Sequence, residues 1–264
     1  MTNVVCERLG ITYPILQGPM AWASDSGLVA AVSNAGGLGI LGIGSVPVEV
    51  ARAEVRKTNE LTGLPFGFNA YAFLPTIDAM CDMIVEEEVP VVEIGTLPGL
   101  FGPLAGHVAR MGASGVKVIG KAASVEEAVA YERAGVDFIS IKGADGGGHI
   151  FGFTGTFSLL PQVVDAVSVP VICGGGIAGS FPRWSPPHRT TASFLEQPFC
   201  SAGRSTSRHG RADAWKSAFG WTPASGRRLA GAIWRSPTRR FRRSGPPAIG
   251  PSSPGLSPTS RQIP

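Results

Sequence analysis

No stretch of this 264-residue sequence approaches the ~20 uninterrupted apolar residues of a membrane-spanning helix, and Glu7 and Arg8 stand where a secretory signal would need its apolar core. Cysteine is scarce. Cys6, Cys81, Cys173 and Cys200 form no CxxC pair and no CxxC…H spacing, which argues against a disulfide framework and against a zinc site. Nor does a GxGxxG follow the first apolar run, where Gln17-Gly18-Pro19-Met20 stands instead of a dinucleotide fingerprint. A reducing, cytoplasmic setting with no membrane partner is the expectation.

Acid is missing from one part of the chain only. Residues 1–180 hold 9 Lys/Arg against 17 Asp/Glu, a balance of −8, whereas residues 181–264 hold 14 against 2, a balance of +12; together these give the net +4. The last 84 residues also lack Val, Tyr, Met and Asn, yet carry 12 of the 22 prolines and four of the five tryptophans. The net charge describes neither half, so no nucleic-acid partner is read from it. Two unlike polymers have been joined near residue 180.

What is present in the first part is a repeat. Short runs rich in Val, Ile, Leu and Phe begin near Pro14, Leu38, Phe66, Pro90, Val116, Asp137 and Val169, at intervals of 24, 28, 24, 26, 21 and 32 residues. Continuous rather than alternating apolar runs suit strands of a parallel sheet covered on both faces. Between them the spacing predicts helices over 26–34, 47–61, 75–87, 99–111, 124–134 and 157–167, several opening on a Ser or Pro suited to a helix start. A βα period near 25 residues points to a closed (β/α)8 barrel, an α/β TIM barrel, because eight such units make up the ~250 residues usual for that fold. An open doubly wound sheet is the alternative, and the missing fingerprint counts against it.

In such a barrel, chemistry collects where strands end. Gly146-Gly147-Gly148-His149 follows the sixth run: glycines let backbone approach a flat ligand, and the imidazole can move a proton near neutral pH. The competing reading is a surface loop with an incidental histidine. Gly174-Gly175-Gly176 follows the seventh run, where backbone N–H groups often hold a phosphate; an ordinary strand-to-helix turn is its alternative. Lys121 and Lys142 end the fifth and sixth runs, as counter-charges for an anionic cofactor or as lysines snorkelling at the rim. Asn69 ends the third, as a donor to a cofactor or as a turn former.

The segments PILQGPMAW, AAVSNAGGLGILG, LPFGFNA, VKVIGKAASVEEAVAYERAGVDFISIKG, GADGGGHIFG and LLPQVVDAVSVPVICGGGIA together resemble the nitronate monooxygenases, once called 2-nitropropane dioxygenases, in one collinear order from about Leu9 to Ala178. The sequence is similar also to their relatives, the FMN-dependent enoyl-acyl carrier protein reductases of type II. The resemblance implies FMN as cofactor and oxidation of an alkyl nitronate by molecular oxygen to a carbonyl compound and nitrite. It implies His149, in the GGH motif, as the base toward the substrate carbon. FMN contacts carry over to Met20, Ala21, Asn69, Lys121, the Lys142 to Gly147 loop, Gly175 and Gly176. At Lys142 the chain departs from the Gln, Asp or Glu often found in the family. Enoyl reduction with a nicotinamide is the alternative activity, and a small-molecule substrate with oxygen the expected partner set.

After Gly176-Ile177-Ala178 the family continues with Asp-Gly, an Ala/Leu-rich helix, an eighth strand and a Gly-Thr-Arg motif. Here the chain reads Gly179-Ser180-Phe181-Pro182-Arg183-Trp184 and turns to Arg, Ser and Pro. The expected division is therefore 1–179, an incomplete FMN-binding barrel of about seven strands, and 180–264, a basic tail that is disordered or out of frame. A shift of reading frame near codon 179 explains both the abrupt change and its timing within a motif. A natural low-complexity tail, or a polyanion-binding one built on Arg239-Arg240-Phe241-Arg242-Arg243, is the competing reading. No eighth strand is visible, so strands one and seven are expected to keep unpaired edges, with weak FMN binding and aggregation as consequences.

Overall fold

The computed structural model describes residues 3–149, 152–176 and 193–194. A short helix, α1 (Val4–Leu9), is capped by the Asn3 side chain, which accepts from the Val5 N–H at 2.9 Å, and ends on left-handed Gly10. Strand and helix then alternate: β1 (Ile15–Gln17), α2 (Ser26–Asn34), β2 (Leu38–Leu41), α3 (Val48–Leu61), β3 (Gly67–Tyr71), α4 (Ile77–Glu86), β4 (Val91–Gly95), α5 (Leu104–Ala113), β5 (Lys117–Ala122), α6 (Val125–Arg133), β6 (Phe138–Lys142), α7 (Thr156–Ala166) and β7 (Val171–Gly174). Every strand pairs in parallel with its successor. The seven strands form a curled sheet with helices outside, the (β/α)8 design short of a full eighth unit.

One expectation is corrected. A two-residue strand, β8 (Ser193–Phe194), pairs in parallel with both β7 and β1, so the ring closes and neither edge is left wholly bare. It escaped the sequence because two rungs of backbone hydrogen bonds require no apolar run, and Ser193 and Phe194 lie in an Arg- and Pro-rich context. The helix α5 also begins five residues later than its spacing implied: Gly99, at φ +82°, and Pro103 keep 99–103 in a turn. Apart from Ser193–Phe194, the stretch 180–264 expected to be disordered lies outside the described residues. Among the described residues no helix is long and apolar enough to cross a membrane.

Two apolar clusters hold this ring. Outward-facing strand residues such as Phe68, Val92, Ile94, Val118, Ile139 and Ile141 pack beneath the helices. Leu16, Leu38, Ile40, Val91, Ile119, Phe138 and Ile172 fill the inside, joined by Val5, Leu9 and Ile11. The leader helix α1 therefore plugs the barrel at the end where the strands begin, leaving the opposite end for chemistry. Glycine permits close helix contacts: a Cβ on Gly120 would lie 2.5 Å from the ring of Tyr131, which packs directly on that strand, and one on Gly39 would run into the backbone of Val29 in α2.

Candidate active site at the strand ends

Alternation along each strand decides which residues look inward. Val91 lies in the interior cluster while Val92 and Ile94 face the helices, so Glu93 points inward, one step above Val91. The same count turns Asn69 and Tyr71 of β3, Lys121 of β5, Ser140 and Lys142 of β6 and Gly174 of β7 to the inside. An apolar floor thus gives way, within two residues, to a polar layer. Asn69 and Glu93 are paired across β3 and β4, and the Asn69 amide donates to the Glu93 carbonyl at 3.2 Å. Lys121 Nζ stands 3.4 Å from Glu93 Oε2, with the Glu93 side chain fully buried and that of Lys121 22% exposed. Burial raises the Tyr71 phenol above its ordinary value, with Lys121 opposing the shift and Glu93 reinforcing it.

The second half of the site is the loop between β6 and α7. Thr156, fully buried, ties it down. Its hydroxyl accepts from the Gly143 N–H at 3.1 Å, donates to the Asp145 carboxylate, and lies 3.1 Å from the Gly174 carbonyl at the end of β7. The Thr156 N–H donates to the same carboxylate oxygen at 3.0 Å. Desolvation works to raise the Asp145 carboxyl, but the two Thr156 donors and the Asp145 backbone N–H together outweigh it and hold the group below the usual carboxylate range. Lys142 folds back along the loop, its Nζ donating to the Gly147 carbonyl at 2.5 Å. Replacing Thr156 by valine keeps the shape and removes the hydroxyl, leaving Gly143 and Asp145 short of a partner. Urea unfolding is expected to show a loss of about 2–3 kcal/mol.

The glycines bring the pieces together. Gly175 and Gly176 leave β7 at φ +99° and +66°, conformations that other residues rarely adopt. A Cβ on Gly175 would lie 2.7 Å from the Cα of Gly146, and one on Gly176 would lie 2.6 Å from Asp145 Oδ2. The histidine loop and the triple glycine are therefore packed on each other. On the far side, a Cβ on Gly42 would meet the Met20 carbonyl at 2.5 Å, and one on Gly44 the Asn69 carbonyl at 2.2 Å, so the ends of β1, β2 and β3 are equally close.

The residues singled out from the sequence fall in three places. Asn69 and Lys121 share the polar layer. Lys142, Gly147, Gly175 and Gly176 meet at the β6 and β7 ends, and His149, exposed, follows Gly148 at φ +72° in the same loop. Met20 and Ala21 form the β1 side, where the Ser24 hydroxyl accepts from the Met20 N–H at 2.9 Å. Glu93 and Thr156 were missed. An acid inside the apolar run Val91-Val92-Glu93-Ile94 was the available signal for the first; nothing local marks the second. Cys173 is a buried thiol on the outer face of β7, pushed up to about 12 by burial, in keeping with a packing role.

A family model for nitronate monooxygenase matches residues 3–94 and 81–180. The chain belongs to the nitronate monooxygenase family. Among curated nitronate monooxygenase relatives, a probable nitronate monooxygenase of Staphylococcus aureus is 35% identical over 217 residues, covering 66% of this chain and 61% of the relative. Among solved structures, FabK from Thermotoga maritima is 39% identical with a TM-score of 0.62, over 67% of this chain and 55% of FabK. A nitroalkane oxidase from Streptomyces ansochromogenes is 28% identical with a TM-score of 0.59, over 67% and 61%. The chain thus spans about 61% of the length of the nitronate monooxygenase relative it matches.

Proposed function

We propose that the barrel is an FMN-dependent oxidoreductase that converts alkyl nitronates and molecular oxygen to a carbonyl compound and nitrite. The supporting observation is the packing of the histidine loop on the triple glycine, Gly146 against Gly175, beside a polar layer that carries an amide and an ammonium. The residues fit FMN in two respects. Asn69 Oδ1 is buried with no hydrogen-bond partner among the described residues, an acceptor in want of a ring N–H. The Gly175–Gly176 backbone has the open, left-handed course that lets amides approach a phosphate.

Bound FMN supplies the electron chemistry between substrate and oxygen. The chain's own residues do the rest. Met20, Ala21, Asn69, Lys121, Lys142 and Gly147 hold the ring system, and Gly175 and Gly176 hold the phosphate. His149, whose loop is pinned by Thr156 and by the Lys142 ammonium, takes the proton from the substrate carbon when the neutral nitroalkane enters. The exposed aromatic side chains of Trp22 and Phe157 offer apolar surface to a small organic substrate. Residues 1–179 carry the catalytic groups in this reading, Ser193–Phe194 adds the short closing strand, the rest of 180–264 is a tail outside the catalytic unit, and the setting is cytoplasmic.

Enoyl-acyl carrier protein reduction is the second reading, favoured by the greater identity to FabK, 39% against 28% for the nitroalkane oxidase. The purified chain loaded with FMN separates the two. Oxygen uptake and nitrite release with propyl nitronate are the expected result; NADH oxidation dependent on a crotonyl thioester, without oxygen uptake on nitronate, would replace the first reading by the second.

A further inference from the structure

Glu93 is the only buried acidic residue among the described residues. Its position makes little sense as a stabiliser. Taking a carboxylate and an ammonium out of water costs several kcal/mol, and exchanging such a pair for apolar side chains is often neutral or stabilising. An apolar residue at position 93 would simply continue the floor made by Val91, Ile119, Phe138 and Ile172. The pair instead stands where the floor ends, on the mouth side, in the same row as Asn69. Lysine carries about 2 kcal/mol of rotamer entropy and must be pinned if its charge is to sit at one point. The Lys121 ammonium is pinned from one side, by Glu93 Oε2 at 3.4 Å.

We propose that Glu93 is a positioning residue: its carboxylate, carried on the rigid β4, fixes the Lys121 ammonium in the polar layer so that the lysine meets the cofactor at one place. The same carboxylate offsets the lysine's charge, while Asn69, tied to the Glu93 backbone, keeps the row in register. The proposal rests on the FMN reading for its purpose but not for the coupling between the two side chains.

The test uses the full chain and four proteins: wild type, Glu93→Gln, Lys121→Met and the double variant. FMN affinity is read by quenching of flavin fluorescence, and folding by thermal melting. Each single variant is expected to weaken FMN about tenfold, and the double variant no more than Lys121→Met alone, the non-additivity of a pair that acts as a unit. Independent effects that multiply in the double variant, or a Glu93→Gln protein that binds as wild type does, would overturn the proposal. A second readout needs no cofactor: the rate at which an amine-reactive reagent labels Lys121, followed by mass spectrometry. The rate is expected to rise about fivefold or more in Glu93→Gln, the ion pair having been the shield. Equal rates would sink the coupling itself, whereas altered rates in a protein that takes up no FMN would remove the FMN reading and leave the coupling standing. Glu93→Leu, which buries no orphaned amide, serves where the glutamine variant melts too early to assay, with the same expectations.

Discussion

Replacing His149 by alanine is expected to lower turnover on a nitroalkane by about 10²- to 10⁴-fold, the usual worth of a positioned general base, while FMN remains bound. The separation follows from where the residue sits. His149 is exposed midway along the 143–155 connection, after Gly148, whereas the anchoring bonds are made on either side of it, by Gly143, Ala144, Asp145 and Gly147 before and by Thr154 and Thr156 after. Truncating the imidazole removes the proton acceptor and disturbs none of those bonds. With a preformed nitronate, which has already lost the proton, the variant is expected to recover most of the wild-type rate. Steady-state oxygen consumption with the two substrate forms measures both numbers. Equal losses on nitroalkane and nitronate would mean that His149 binds or orients the substrate and does not act as a base.

The second large effect is expected at Gly175. A β-carbon there meets the Gly146 backbone at 2.7 and 2.8 Å, and the residue's φ of +99° is one that alanine resists. Gly175→Ala therefore strains the chain by about 1–3 kcal/mol and pushes the histidine loop off the end of β7. Each 1.4 kcal/mol lost from the bound state alone is tenfold in affinity, so FMN binding is expected to weaken by at least about tenfold. Calorimetric titration of the variant with FMN, alongside a melting curve, checks the two parts separately. Gly99→Ala is the control: it too has positive φ, at +82°, but meets nothing within 4 Å and lies in the β4–α5 connection. It should cost stability without touching FMN.

Seven strands and six helices were legible because each strand is buried on both faces and so is written as an unbroken apolar run. The helix over Ser26–Asn34 falls where its periodicity puts it, and the strand beginning near Pro90 starts at Val91. The leader helix α1 was not read, because six residues with Glu7 and Arg8 among them carry no periodicity worth the name; its role as a plug emerges only from what Val5 and Leu9 touch. Of the site, the strand-end residues were visible as polar heads after apolar runs. Lys121 is legible in this way, but its partner Glu93 is not, because the carboxylate lies inside the apolar run Val91-Val92-Glu93-Ile94 and not at its end. Thr156 was invisible for a different reason. Its partners Gly143, Asp145 and Gly174 are 11 to 18 residues distant in sequence, and the pairing of β6 with β7, which sets Lys142 beside Gly174, brings them within reach of one hydroxyl.

The closure of the ring also sets how it would come apart. β4 shares five paired positions with β3 and four with β5, whereas two positions each join β1 to β2, β2 to β3, β1 to β8 and β7 to β8. The cylinder has a thin side. Any breathing of the barrel starts where the fewest rungs must break, which is the arc from the far edge of β7 through β8, β1 and β2 to β3. Gly175 and Gly176, proposed here to hold an anion, follow the strand that borders this arc, while the Glu93–Lys121 pair stands on the thick side of the wall.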